Sequence, residues 1–267
     1  MSNYSYQELF NYALDMFNKE TGFPFTSDKI VYRGFSAYNA KIVYDTFMSE
    51  FGFLTEYHTQ EKLLNTLAEA FVYGKEGETD VSGILFREDL ELEDHEIVHT
   101  MLHELSHIFC TKFEIEGGHF FDRFCSGMPI TQEDRIADGY MNAGYAVWRE
   151  YAAEMTARLV EHTPNYSITD VKDVLALYAE EVYPGNPDGK KVMSDILLLI
   201  ALSTEFVKGE WKDIIAHLED IEFPFTRTTK LLFSHMLQDP FYQIEPEFIF
   251  EFGNTYLVEL SRKTVSL

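Results

Sequence analysis

Cysteine is nearly absent: Cys110 and Cys125 are the only two in 267 residues. Two cysteines build no disulfide framework, so a reducing compartment, the cytoplasm, is expected. Positive charge is scarce as well, with 21 Lys and Arg against 45 Asp and Glu and a formal net charge of −24. Phosphate-tracking surfaces need clustered Lys and Arg, which removes nucleic acid from the expected partners. Long apolar runs are missing too. The longest, Ile196-Leu197-Leu198-Leu199-Ile200-Ala201-Leu202, is far shorter than the roughly 20 residues that span a bilayer. The segment from Met1 to Glu8 has neither the basic flank nor the apolar core of a secretory signal. No membrane partner is therefore expected, and no internal repeat or low-complexity tract is visible.

What the chain has in quantity is aromatic and aliphatic bulk: 23 Phe, 16 Tyr and 46% hydrophobic residues overall. That composition folds around a core and argues against intrinsic disorder. The acidic stretch from Glu88 to Asp94 reads as a solvated approach to a helix. Apolar periodicity predicts helices over 5–20, 38–50 and 60–73, the last with Leu63, Leu64, Leu67, Ala68 and Phe71 on one face. Strands are expected over Lys29–Phe35 and Val81–Phe86, with a polar turn over Gly74–Asp80 between the third helix and the second strand. A long helix follows over Asp94–Lys112, then an irregular stretch with Gly117-Gly118-His119, then a second long helix over about 145–162. Beyond Pro164 helical candidates lie near 168–183, 189–208, 211–220 and 227–237. The expected fold class is α+β and mostly helical, with a small sheet on the first long helix. Residues 1–163 are taken as one domain and 164–267 as a helical extension packed on it. Val81–Phe86 is either an interior strand or an edge that an extended peptide joins by strand addition.

The chemistry concentrates in His103-Glu104-Leu105-Ser106-His107. At 100° per residue, Ile97, Val98, Met101, Leu102, Leu105, Ile108 and Phe109 share one arc, and His103 and His107 lie together outside it. Two imidazoles one turn apart suit two positions of tetrahedral zinc at about 2.0–2.1 Å. Glu104 falls on the other side of His107, within reach of a water at the metal. An HExxH string arises by chance in about three such chains per hundred, before the apolar helical frame is required. His95 and His99 continue the four-residue ladder, but each step drifts about 40° around the helix. His99 is therefore read as a core-edge histidine, and Cys110 as a small buried apolar residue.

A catalytic zinc takes a third protein ligand and leaves a position to water. Position 113 is Phe, which excludes the metzincin arrangement, and leaves His119 and Glu150 as candidates. Trp148-Arg149-Glu150-Tyr151-Ala152-Ala153-Glu154 resembles the second helix of the gluzincin metallopeptidases, where a Glu completes the HExxH site in an ExxxD or ExxxE setting. Over residues 81–160 the pattern resembles small cytoplasmic gluzincins such as the ImmA/IrrE family, with a strand before the HExxH helix and a Glu- and Ala-rich helix after it. The resemblance implies a zincin-like fold, Glu150 as third ligand, and Glu154 as a carboxylate that orients a ligating imidazole. The chain departs from the family in having Glu rather than Asp at 154 and in lacking a helix-turn-helix segment. SprT-like peptidases use a later His, which keeps His119 open as an alternative ligand or as a donor to an oxyanion.

The expected activity is that of a hydrolase: a zinc peptidase acting on a peptide or protein, with Glu104 as general base. Tyr145, at the expected start of the second long helix, is the candidate phenol for polarising the carbonyl. The alternative is a catalytically silent zinc-binding regulatory or interaction protein on the same fold.

Overall fold

The computed structural model describes residues 4–23, 25–26, 29–51, 59–72, 81–112, 132–161, 225–236 and 246–264, with isolated positions Asp213, Ala216, Glu219 and Asp220. Along them run α1 (Tyr6–Thr21), β1 (Ile30–Phe35), α2 (Ala40–Phe51), α3 (Gln60–Leu64), β2 (Ala68–Val72), β3 (Ser82–Arg87), α4 (Asp94–Lys112), α5 (Gln132–Glu161), α6 (Thr226–Met236) and α7 (Pro246–Thr264). The described residues are thus mostly helical, with one small three-stranded sheet among them, as the periodicity indicates. Among the described residues no helix is long and apolar enough to cross a membrane. Two compact units are present, one of residues 1–112 with 156–162 and one of residues 113–155 with 163–267. By compactness, then, most of α5 groups with the C-terminal residues, whereas the sequence suggests a division after residue 163.

In the first unit the sheet has the order β1-β3-β2, with β1 parallel and β2 antiparallel to β3. β3 is therefore the interior strand. Its near-continuous burial, from Ser82 through Phe86, is what a strand covered on both faces requires. Ile84 and Phe86 join α1 and α4 in one core with Phe10, Phe17, Met101, Leu102 and Leu105. Leu85 points the other way, into a core with Tyr44, Phe47 and Met48 of α2 and Leu63 of α3. The Phe47 ring lies so close over Gly83 that a Cβ there would overlap it. α1 is bounded by a Ser5–Glu8 capping box and by Gly22 at φ 68°, whose N–H reaches Asn18 O at 3.0 Å. A left-handed stop of that kind favours glycine.

One expectation is overturned between residues 60 and 73. The helix capped by Thr59 ends at Leu64, and Ala68–Val72 is strand β2. Asn65 N–H and Thr66 Oγ1 both turn back on Lys62 O, at 3.0 and 2.9 Å, closing the helix. Side chains that satisfy nearby carbonyls favour such stops. The apolar residues beyond also fit a period of two: Ala68, Ala70 and Val72 pack on the α1–α4 side and Phe71 on the α2 side. The open edge of β3 supplies a ladder that outweighs helical propensity.

The second unit contains most of α5 with α6 and α7. α5 begins at Gln132, more than three turns before the position that the sequence suggests. α7 lies in the expected helical extension but is not among its individual helical candidates, although Pro246 stands at its first position, where proline fits, and Ile249, Phe252 and Tyr256 form its buried stripe. α5 and α7 cross backbone to backbone at Gly144 and Gly253. A Cβ on Gly144 would meet Ile249 O, and one on Gly253 would meet Tyr140 O. Trp148–Phe248 and Tyr140–Phe250 ring pairs, 5.9 and 5.7 Å between centroids, flank the crossing. Glu259 of α7 is buried at 7% exposure. It accepts from Arg227 N, Thr228 N and Thr228 Oγ1 at 3.1, 3.0 and 2.6 Å, capping the start of α6. The expected helices over 168–183 and 189–208 lie outside the described residues, as does the 74–80 turn. α6 falls close to the helix expected at 227–237.

Candidate metal centre

α4 is oriented by its apolar arc. Met101, Leu102, Leu105 and Ile108 have no exposed surface, and Glu96 closes the N-terminus by accepting from Glu93 N at 2.8 Å. With that arc in the core, the face turned away from it, about 150–170° around the axis, carries His103 and His107 side by side. Their rings stand 4.7 Å apart between centroids at 84°. The two Nε2 atoms are 3.1 Å apart. Tetrahedral zinc with bonds of about 2.0–2.1 Å separates two ligand nitrogens by about 3.3 Å. The pair is therefore set near the bite of a small cation. With a proton on Nε2 of one ring the contact is a hydrogen bond; with both protons on Nδ1, two lone pairs converge on one point.

Glu104, between the two in sequence, is 7% exposed, and His107 is 9% exposed. Ser106 is buried and donates to Leu102 O at 2.7 Å, a bond internal to the helix. It serves packing.

α5 supplies the third group. Trp148 and Ala152 are fully buried, and helical geometry puts Glu150 about 160° around the axis from either. The Glu150 direction is shared, within about 40°, by Ala157 and Glu161 further along α5. Ala157 is part of the core that contains α4, and Glu161 Oε2 is 2.8 Å from His99 Nδ1. Near the same end of α5, Thr156 Oγ1 lies 3.6 Å from Cys110 Sγ. His103, His107 and Glu150 each offer a ligand atom, and these atoms lie within 4.8 Å of one another. Two neutral imidazoles and a carboxylate form a donor set for a metal ion. The Glu150 carboxylate also has Arg149 beside it, Nη2 to Oε1 3.3 Å.

The remaining sequence candidates are distributed as follows. His99 is half-buried at the core edge and Cys110 is buried, both as the sequence suggests, and His99 is held by Glu161. Glu154 is half-buried on α5, one turn after Glu150. Tyr145 is half-buried in the interior of α5 rather than at its start, about 140° around the axis from Glu150. His119 lies outside the described residues. The HExxH pattern does not point to Glu161 as the partner of His99; the signal for it is its place on the Glu150 face of one continuous helix. The Arg149 contact likewise follows from adjacency alone. No protein-family model matches the chain, and neither a curated protein nor a solved structure matches it.

Proposed function

We propose that the protein is a zinc-dependent peptidase of the gluzincin type, with His103, His107 and Glu150 as ligands and Glu104 as general base. The observation that carries this reading is the 3.1 Å approach of the two Nε2 atoms, joined by Glu150 in one group, with a nearly buried carboxylate on the intervening residue. Two imidazoles and one carboxylate suit zinc better than a hard cation, and three ligands leave room for water. Zinc bound there supplies Lewis-acid chemistry, acidifying water and polarising a carbonyl oxygen. Glu104 accepts the proton of the attacking water and returns it to the leaving amine. A purely structural site has no use for that base, which weighs against a silent zinc protein.

The sheet fits the same reading, with one change. β3 is interior, so it is not the strand that a peptide joins. β2 ends the sheet among the described residues, lies half-buried along its length, and packs against the α4 side through Ala68, Ala70 and Val72. Strand addition is therefore assigned to β2, which would lay a peptide antiparallel along it beside the metal helix. The zincin-like architecture and the likeness to ImmA/IrrE-type peptidases are part of this proposal. Its test pairs Glu104→Gln with His103→Ala, read by zinc content and by cleavage of an unbiased peptide library. Glu104→Gln should keep zinc and lose turnover, and His103→Ala should lose both. Undiminished cleavage by Glu104→Gln sinks the peptidase reading, and a zinc-loaded wild type that cleaves nothing favours the regulatory alternative.

A further inference from the structure

The third ligand of the candidate centre is already engaged by a cation. Arg149 Nη2 lies 3.3 Å from Glu150 Oε1, with side chains 49% and 36% exposed. Neighbouring helix residues point about 100° apart, so Arg149 reaches this carboxylate around the surface of α5, not by facing it. The contact thus sets a permanent positive charge next to one of three groups that lie within 4.8 Å of each other.

We propose that Arg149 is a counterweight to the metal: it holds the Glu150 carboxylate in the metal-free protein and sets the affinity of the centre below that of the three ligands alone. The inference rests on the zinc reading above. Two effects act in the same direction. A carboxylate oxygen given to a guanidinium is a poorer ligand, and a guanidinium close to a divalent cation repels it. Because the pair is half in water, both effects are small and screened by salt. The consequence is a site whose loading responds to the supply of free zinc. Arg149 is a positioning residue; it needs to touch neither substrate nor metal.

The test is a zinc titration of the full-length chain against a competing chelating dye, at low and high salt. The proteins compared are wild type, Arg149→Gln, Arg149→Lys and His103→Ala. Arg149→Gln should bind zinc about twofold to fivefold tighter than wild type at low salt, and the gain should shrink as salt rises. Arg149→Lys keeps the charge and should stay within about twofold of wild type. Equal or weaker binding by Arg149→Gln overturns the proposal. If His103→Ala binds zinc as well as wild type does, the zinc reading fails and the counterweight with it. If His103→Ala loses zinc while Arg149→Gln is unchanged, only the counterweight fails.

Discussion

His103 and His107 stand one turn apart on α4 with their Nε2 atoms separated by 3.1 Å, so whatever binds one imidazole must also meet the other. The strongest consequence concerns the group that completes the set. Glu150→Ala should weaken zinc binding by more than about tenfold, because losing a ligand costs at least as much as losing a group that orients one. His119→Ala should leave it unchanged. Metal analysis after dialysis against a weak chelator separates the two, and a sharp loss of zinc in His119→Ala would reassign the third ligand.

The crossing of α5 and α7 depends on two missing side chains. Gly253→Ala puts a methyl onto Tyr140 O, and the helices must part or shift, at a cost of about 1–3 kcal/mol. Gly139, on the same helix as Gly144, is open: a methyl added there has nothing within 4 Å. Gly139→Ala should therefore stabilise slightly, by about 0.5–1 kcal/mol, since alanine is the better helix former. Urea denaturation of the two variants should move in opposite directions.

Glu259 holds the first turn of α6 through three hydrogen bonds from Arg227 and Thr228. Glu259→Ala removes the acceptor and leaves the Thr228 hydroxyl and two backbone N–H groups to find others, costing about 1–3 kcal/mol. Glu259→Gln retains one acceptor and should lose less. Thermal melts of both variants give the comparison; equal melting of Glu259→Ala and wild type would show that the cap adds nothing to stability.

Asp89 carries a pH dependence whose sign is fixed. Its carboxyl is held below the ordinary value of 3.8, first by accepting from Ala37 N and then by accepting from Arg87. The folded state therefore favours the ionised form. Its contribution is whole above that ordinary value and disappears as the pH falls through the lowered one. Asp89→Asn should be less stable than wild type at neutral pH, and the gap should close in acid. A gap that stays constant from neutral to strongly acidic pH would show that the charge is irrelevant.

Much of the first unit is legible in the sequence because local pattern and tertiary demand agree there. The arc from Ile97 to Ile108 fixes α4 and with it the direction of His103 and His107. The continuous burial of Ile84, Leu85 and Phe86 fits their unbroken apolar run. Ala68–Val72 is misread because its residues satisfy periods of both 3.6 and 2, and the choice is made by the vacant edge of β3, whose partner residues lie ten to eighteen positions downstream. The beginning of α5 is hidden for another reason: its N-terminal half has small and polar residues, Asp134, Ala137, Asp138 and Gly139, and shows no strong stripe. Glu150 is visible only through a motif setting, whereas Glu161 requires knowing that one helix runs unbroken from Gln132 to Glu161.

Ala157 and Val160 are members of the same buried core as Phe10, Phe17 and Leu105. On a ribosome, the N-terminal 112 residues would emerge with a gap in that core until the chain had grown past residue 160. Pairing of β1 with β3 joins residues already some fifty positions apart, and this last insertion comes later still. A nascent or proteolytically shortened chain ending at Lys112 would therefore expose the α4 flank that Ala157 and Val160 cover, His99 and Cys110 with it. Such a fragment would lack part of its own core rather than being a miniature of the protein.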